Sequence, residues 1–346
     1  MKRIGILGSG SWGTALAKMM TDSGRHITWW NRSESAIEKI MRTGRNPQYL
    51  SSARFDVTRL SLSTDPREVL KDAEVVVIAI PSAYVEDVLE KLPAESFKGK
   101  KVISAIKGIL PSQNMLLNDY LKRHFDFPLE DYFAVMGPCH AEEVAAGKLS
   151  YLTFSGIDDG TAADMAALFK TPYLNTVINK DIYGVQYAAV LKNIYAVGAG
   201  IAHGLDYGDN FLSVLIANSA DEMAGMLRKA GIINAEVGYI DHGKAASPEM
   251  HTNYAASVYL GDLLVTSYSL HSRNRTFGNM IGKGYSVKSA QLEMNQVAEG
   301  YNASRCMHIL NKSIDADMPI ANAVYEILWE GLPAEEGFSI IESILV

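Results

Sequence analysis

The feature that most constrains the fold is a glycine pattern directly after the first apolar run of the chain. Gly8, Gly10 and Gly13 form a GxGxxG motif between the run RIGIL and the helical pattern TALA. The first glycine suits a tight turn, the second lets backbone approach a phosphate, and the third lets helix and strand pack closely. Because helix N-termini attract anions, the motif predicts a strand, turn and helix that bind the pyrophosphate of a dinucleotide. Glycines that only shape a turn are the alternative.

Short apolar runs alternate with helical patterns through residues 1–180, as expected for βαβ units. The run VVVIAI at 75–80 does not alternate, which is typical of a strand covered by helices on both faces. We therefore predict an N-terminal Rossmann-type doubly wound sheet. Its expected strands are 3–7, 26–30, 74–80, 101–105, 132–136, 151–155 and 174–178.

The remainder of the chain, residues 181–346, shows helical periodicity with almost no strand signal. Its first helix, from about Ile182 to Ala202, is apolar nearly all round, which indicates the buried centre of a bundle. The predicted fold class is thus α/β plus all-α, with a C-terminal helical substrate domain. An apolar second domain is compatible with a homodimer.

Composition excludes several functions. The 32 basic and 39 acidic residues give a net charge of −7 without a basic run, which argues against nucleic-acid binding. Apolar stretches fall short of the roughly 18 residues of a membrane span, so no membrane insertion is expected. The two cysteines, Cys139 and Cys306, form no CxxC pair, and the histidines have no metal-binding spacing. We expect a cytoplasmic protein without a metal.

Lys192 is the strongest candidate for acid–base chemistry. It lies in the stretch YAAVLKNIYAVGAG, where its neighbours are small or apolar. Burial disfavours an ammonium, so such a lysine could exchange a proton near neutral pH and interconvert a carbonyl and an alcohol. A lysine that extends to solvent at the end of a bundle is the alternative.

A cationic cluster at Ser272, Arg273, Asn274 and Arg275 suits a small phosphate dianion. Asp262 lies near enough in sequence to share that site and to pair with a lysine. Lys107 follows the strand KVISA, at the end of a parallel strand where ligands bind. Solvated loops are the alternative for both segments.

The choice of cofactor depends on the residues after the second strand. An acidic residue there would bind the 2′-hydroxyl of NAD. Arg32 and Ser33 stand there instead and favour the 2′-phosphate of NADP, although Glu34 leaves NAD open and Arg32 could be an ordinary surface arginine.

Cys139 adjoins His140, but adjacency in sequence alone does not indicate that Cys139 is a nucleophile.

Taken together, the motifs resemble the bacterial type of NAD(P)-dependent sn-glycerol-3-phosphate dehydrogenase, from residue 3 to about residue 335. The matching stretches are GSGSWGTALA, NPQYL, VVVIAIPS, AIKGI, GPCHAEEVA, LKNIYAVGAGI, HGLDYGDN, GDLLVTSYSLHSRNRTFG and VAEG. The resemblance implies reversible reduction of dihydroxyacetone phosphate to sn-glycerol 3-phosphate by NAD(P)H, for glycerophospholipid synthesis. A dehydrogenase of another small hydroxy acid and a non-catalytic NADP(H) sensor are the alternatives.

The resemblance also implies site residues. Lys192 would donate and accept the proton, and Asp262 and Lys107 would be catalytic residues as well. The implied substrate contacts are Lys107, Gly137, Cys139, Lys192, Asp262, Ser272, Arg273 and Asn274. The implied cofactor contacts are Gly8, Gly10, Ser11, Trp12, Gly13, Arg32, Tyr49, Lys107, Ala141, Arg273, Val297 and Glu299. The chain departs from the family pattern at Cys139, at Ser51-Ser52 and at Asn218-Ser219, where a small hydroxyl residue, Pro-Gly and Arg-Gly are usual.

Overall fold

The computed structural model describes residues 2–232, 239–240, 257–294 and 296–346. These residues form two compact units. The first contains residues 2–106, 116–182 and 239–240, and the second contains residues 107–115, 183–232 and 257–346 without 295. The segment 107–115, which follows a strand of the first unit, therefore belongs to the second.

The first unit is built on one sheet whose described strands lie in the order β3-β2-β1-β4-β5-β6-β7-β8-β9. Strands β1 to β6 are parallel, β7 is antiparallel to β6 and parallel to β8, and β9 is antiparallel to β8. The bounds are β1 (Ile4–Leu7), β2 (Ile27–Trp30), β3 (Leu60–Ser63), β4 (Val75–Ile78), β5 (Lys101–Ser104), β6 (Tyr132–Met136), β7 (Ser150–Ser155), β8 (Leu174–Asn179) and β9 (Tyr239–Ile240). The Rossmann-type sheet is confirmed.

Burial on both faces explains the central strands. Every residue of β1 and of β4 is buried, because helices cover both sides of the sheet. Strand β1 pairs with β2 on one side and with β4 on the other, so the strand order reverses between β1 and β4. Ligands of such sheets bind at this reversal, outside the carboxyl ends of the strands. The residues after β1 occupy that place.

Two strands are absent from the sequence prediction. Strand β3, with the sequence LSLS, lies at one edge of the sheet and buries only Leu60 fully, so its apolar signal is weak. Strand β9 has two residues and carries no periodicity. It pairs with β8, although its residues lie within 181–346, the range that the prediction assigned to the helical domain.

Helices of the first unit flank the sheet. Several begin at side chains that accept a hydrogen bond from the first turn, as Ser33 does from the Ala36 N–H and Asp65 does from the Arg67 N–H. Their bounds are α1 (Ser11–Asp22), α2 (Glu34–Thr43), α3 (Pro66–Lys71), α4 (Ser82–Leu89), α5 (Leu117–Phe125), α6 (Ala141–Ala145) and α7 (Asp159–Ala166).

The second unit is helical and is centred on α8. The residues of this helix from Ala188 to Ala202 are buried on all sides, which confirms the predicted core helix. The helices are α8 (Ile182–Gly204), α9 (Asp209–Lys229), α10 (Asp262–Tyr268), α11 (Arg273–Gly282), α12 (Val287–Glu293), α13 (Glu299–Ile314), α14 (Pro319–Tyr325) and α15 (Ala334–Ile344), with π-helical segments at Ser257–Gly261 and Glu326–Glu330.

Glycines let α8 and α11 touch backbone to backbone. A Cβ on Gly278 would lie 2.0 Å from the Val197 carbonyl oxygen, and one on Gly200 would lie 2.1 Å from the Arg275 carbonyl oxygen. Side chains at these positions would force the helices apart. The close crossing brings the first residues of α11 beside the middle of α8.

Candidate functional site

The glycine-rich turn follows β1 and opens α1. Gly8 has a φ of +123°, and a Cβ there would lie 2.4 Å from the Ala79 carbonyl oxygen. A Cβ on Gly13 would lie 2.2 Å from the Gly8 carbonyl oxygen. Apart from Gly10 and its two chain neighbours, no described residue has an atom within 4 Å of a Cβ on Gly10. The first and third glycines are thus required by packing, and the second faces open space. This arrangement fits a pyrophosphate at the N-terminus of α1, where Ser11 and Trp12 stand.

The predicted ribose-binding residues lie at the same edge of the sheet. Because β1 and β2 are parallel neighbours with Leu7 paired to Trp30, the chain leaves both strands side by side. Arg32 is exposed two positions after β2, and Ser33 caps α2. Glu34 is the first residue of that helix. The first charged residue after β2 is therefore a cation, and the carboxylate of Glu34 follows two positions later.

The segment after β6 also leaves the sheet at its carboxyl edge. Gly137 has a φ of +137°, and a Cβ there would lie 2.7 Å from the Tyr151 carbonyl oxygen. The Cys139 Sγ atom donates to that same oxygen at 3.1 Å, and the residue is buried. Ala141 begins α6, which packs against α1.

In the second unit, the structure brings three predicted residues into direct contact. Lys192 is only 4% exposed, so its side chain does not extend to solvent. Its Nζ atom donates to Asp262 Oδ1 at 2.5 Å, and Lys107 Nζ donates to Asp262 Oδ2 at 3.4 Å. Asp262 is 1% exposed. One buried carboxylate therefore lies between two ammonium groups.

This environment shifts the pKa of Lys192. Burial lowers the pKa of the Lys192 ammonium to about 7, the Asp262 carboxylate opposes that shift, and the Lys107 charge adds to it. Desolvation dominates because the charged form loses most when water is removed. Near neutral pH both protonation states are populated, as a group that donates a proton in one direction and accepts it in the other requires.

Thr266 is a site residue that the sequence reading missed. Its Oγ1 atom accepts from Lys192 Nζ at 2.9 Å and donates to the Asp262 carbonyl oxygen at 2.6 Å. Asp262 and Thr266 are four residues apart, so both project from the same face of α10. That spacing is the signal which could have found Thr266.

Asn193 was missed as well, and it connects the lysine helix to Asn274. Asn274 Nδ2 donates to Asn193 Oδ1 at 2.8 Å, and the Gly300 N–H donates to Asn274 Oδ1 at 2.9 Å. Asn193 Nδ2 in turn donates to the Lys107 carbonyl oxygen at 2.9 Å. These bonds tie α8, α11 and the start of α13 together, next to Lys192.

The remaining predicted residues of this unit lie at helix starts. Ser272 caps α11 by accepting from the Arg275 N–H at 3.2 Å, and Arg273 is the first residue of that helix, partly exposed. Glu299 begins α13, and Val297 lies two positions before it. Among the described residues no group of His, Cys, Asp or Glu could hold a metal ion, and no helix is long and apolar enough to cross a membrane.

Comparison with known proteins assigns the family. The model described as NAD-dependent glycerol-3-phosphate dehydrogenase N-terminus matches residues 3–162, and the corresponding C-terminus model matches residues 181–339. The chain belongs to this dehydrogenase family. The glycerol-3-phosphate dehydrogenase [NAD(P)+] of Bacillus subtilis is 32% identical over 97% of this chain and 92% of the relative. The predicted family is therefore confirmed, as is the prediction of a nicotinamide-dependent dehydrogenase.

Solved structures agree with the sheet and helices described above. The glycerol-3-phosphate dehydrogenase of Coxiella burnetii aligns with a TM-score of 0.85 at 26% identity, over 99% of this chain and 98% of the other. A ketopantoate reductase from Ralstonia eutropha aligns with a TM-score of 0.56 at 14% identity. The second likeness concerns the fold alone.

The residues at which the chain departs from the dehydrogenase family pattern make hydrogen bonds within the chain. The main-chain oxygens of Ser51 and Ser52 accept from Arg45 Nη1 at 2.8 and 2.7 Å. The Asn218 amide pairs with the main chain of Val346, donating at 2.9 Å and accepting at 3.2 Å. Like the Cys139 thiol, these groups have main-chain partners. None of them replaces a predicted catalytic group.

Proposed function

We propose that the chain catalyses the reversible reduction of dihydroxyacetone phosphate to sn-glycerol 3-phosphate with NAD(P)H. The observation that carries this proposal is the buried Lys192, held by Asp262 and Thr266, with a pKa of about 7. Membership of the dehydrogenase family supports the reaction class. The intact glycine turn supports the cofactor.

Lys192 performs the proton transfer in this proposal. When bound, the reduced nicotinamide supplies a hydride to the carbonyl carbon. The protonated Lys192 gives its proton to the carbonyl oxygen, so that an alcohol forms and the lysine becomes neutral. A cationic Lys192 also stabilises the negative charge that develops on that oxygen. In the reverse direction the neutral lysine accepts the hydroxyl proton. Asp262 and Thr266 fix the direction of the ammonium by accepting two of its hydrogen bonds.

The phosphate of the substrate is assigned to the start of α11. Arg273 offers a guanidinium that can bind two phosphate oxygens at once, at a helix N-terminus whose N–H groups also favour an anion. Asn274 supports this place because its amide is already fixed by Asn193 and Gly300. A substrate without phosphate could not make this bidentate contact with Arg273.

An assay of cofactor oxidation tests the proposal. The purified chain is mixed with NADPH or NADH and with dihydroxyacetone phosphate, dihydroxyacetone, or a 2-oxo acid without phosphate. We expect oxidation with dihydroxyacetone phosphate and at least 100-fold lower kcat/KM with dihydroxyacetone, since a lost charge-assisted contact costs about 3 kcal/mol. Oxidation with the 2-oxo acid alone would indicate another dehydrogenase. Cofactor binding without any oxidation would indicate a sensor.

The pKa of Lys192 predicts opposite pH dependences for the two directions. Because reduction needs the protonated lysine, its kcat/KM should fall as pH rises through about 7, whereas kcat/KM for oxidation should rise there. Asp262→Asn removes the charge that raises this pKa, so both limbs should move to lower pH. If the change of kcat/KM with pH came from titration of the substrate phosphate, its midpoint would be the same in wild type and in Asp262→Asn. Limbs with the same sign in both directions would contradict the assignment.

Arg32→Glu should shift cofactor preference from NADPH towards NADH. The variant replaces the cation beyond β2 with an acceptor for the 2′-hydroxyl, and we expect the ratio of the two kcat/KM values to change about 10- to 100-fold. Arg42→Glu is the control, because it makes the same charge change in the last turn of α2, about 12 Å along the helix from its first residue. An unchanged ratio in Arg32→Glu would place the ribose elsewhere.

A further inference from the structure

Asn46 is a buried side chain that joins two distant segments of the first unit. It is 2% exposed. Its Nδ2 atom donates to the Ser9 carbonyl oxygen at 3.1 Å and to Thr14 Oγ1 at 2.8 Å. Its Oδ1 atom accepts from the N–H groups of Gln48 at 3.0 Å and Tyr49 at 3.3 Å. Both donors and both acceptor positions of the amide are therefore occupied.

The carbonyl groups of the glycine turn are all held by the protein. The Gly8 oxygen accepts from Trp29 Nε1 at 2.8 Å, and the Gly10 oxygen accepts from the Thr14 N–H at 2.8 Å. Between them, the Ser9 oxygen accepts from Asn46 and, at 3.3 Å, from the Thr14 hydroxyl. A carbonyl oxygen that rotated outward would repel a phosphate. The bonds prevent that rotation at three successive peptides.

Fixing a carbonyl also fixes the N–H group that follows it. The peptide unit is planar and trans, so the N–H of a residue points opposite to the carbonyl of the residue before it. The bond from Asn46 to the Ser9 oxygen therefore sets the direction of the Gly10 N–H. Gly10 is the glycine that faces open space, because no described residue beyond its two chain neighbours has an atom within 4 Å of its Cβ position.

We propose that Asn46 is a positioning residue for dinucleotide binding, which aims the Gly10 N–H at the pyrophosphate. The inference rests on the proposed cofactor site at this turn. It assigns a role to a residue 37 positions away from Ser9. Because the same amide holds the Tyr49 N–H, Asn46 also sets the distance between the turn and the segment that carries Tyr49.

Binding of ligands with and without a pyrophosphate separates this role from a merely structural one. Dissociation constants are measured by fluorescence or calorimetry for NADPH, NADH and 2′-AMP, on the full chain and without substrate. In Asn46→Ala we expect NADPH and NADH to bind about 10- to 30-fold more weakly. The factor should be the same for both dinucleotides, because both contain the pyrophosphate. The dissociation constant of 2′-AMP should change less than about twofold, because this ligand has no pyrophosphate and therefore loses no contact in the variant.

Two further variants complete the test. Asn118→Ala removes another buried amide of the same unit, on α5, and should leave all three dissociation constants unchanged. Asn46→Asp keeps acceptors for the Gln48 and Tyr49 N–H groups but loses the donors to Ser9 and Thr14, so we expect it to bind dinucleotides as weakly as Asn46→Ala.

Three results would overturn the inference. Asn46→Ala could leave NADPH and NADH binding unchanged, it could weaken 2′-AMP binding by the same factor, or Asn46→Asp could restore wild-type affinity. The last result would show that only the 46–49 segment needs the side chain. A wild-type chain that binds neither NADPH nor NADH would instead overturn the proposed cofactor site, and the role of Asn46 with it.

Discussion

Lys192→Met is expected to abolish reduction of dihydroxyacetone phosphate while leaving cofactor binding in place. Methionine keeps the unbranched stem that packs among the apolar residues of α8, and it removes only the ammonium. Loss of a general acid typically lowers the rate by roughly 10²–10⁴. Loss of the positive charge beside the developing alkoxide adds to that effect. Single-turnover hydride transfer, measured with saturating NADPH, reports the chemical step directly.

The structure gives this prediction a control for stability. Removing the ammonium leaves the Asp262 carboxylate with Lys107 as its cationic neighbour, so the fold of the second unit should persist. A thermal melt and an NADPH titration of the variant test that expectation. Lys283→Met, an exposed lysine just after α11, should be fully active. A Lys192→Met chain within about tenfold of the parent rate would remove Lys192 as the proton donor.

The first unit could largely be predicted from sequence because its signals are local. The glycine turn, its preceding strand and the VVVI run of β4 lie within short stretches, and both strands are buried on both faces. Edge strand β3 escaped prediction because it alternates Leu and Ser, with one fully buried residue. The strand at Tyr239–Ile240 has no pattern of its own. It exists through its pairing with β8.

The predicted site was incomplete because its contacts are long-range. Lys192 and Asp262 are 70 positions apart, and nothing in either stretch indicates that the two side chains touch. The residues around Lys192 in the sequence are small or apolar, yet the ammonium group contacts a carboxylate and a hydroxyl. Those partners explain how a buried ammonium is tolerated. The residues and the family resemblance both pointed to Asp262, whereas Thr266 was found only in the structure.

Glu222 is a second residue whose partners are distant in sequence, and no local sequence pattern indicates its role. It lies on α9 between Asp221 and Met223, and it is 7% exposed although carboxylates are usually exposed. Its carboxylate accepts from the Tyr195 hydroxyl at 3.0 Å and from the N–H groups of Ile320 at 2.7 Å and Ala321 at 2.9 Å. It thus caps the start of α14 from another helix and holds α8 one turn after Lys192.

Burial raises the pKa of the Glu222 carboxyl from its ordinary 4.5 to about 7, although the two backbone N–H groups and Tyr195 act in the opposite sense. The folded chain therefore holds this proton more tightly than the unfolded chain does. Stability contributed by the group is largest below about pH 4.5 and declines as pH rises towards 7. The decline amounts to roughly 3 kcal/mol at about 1.4 kcal/mol per unit of pKa.

Glu222→Ala is consequently expected to destabilise the chain more at pH 5 than at pH 8. The variant leaves two helix N–H groups and the buried Tyr195 hydroxyl without their acceptor, which together cost about 2–5 kcal/mol. Urea unfolding of wild type and variant at both pH values measures the difference, in which the titration of all other groups cancels. Asp221→Ala, the exposed neighbour on α9, should change stability by less than about 0.5 kcal/mol at either pH. A Glu222→Ala penalty that grows from pH 5 to pH 8 would show that the carboxylate is charged in the fold at both.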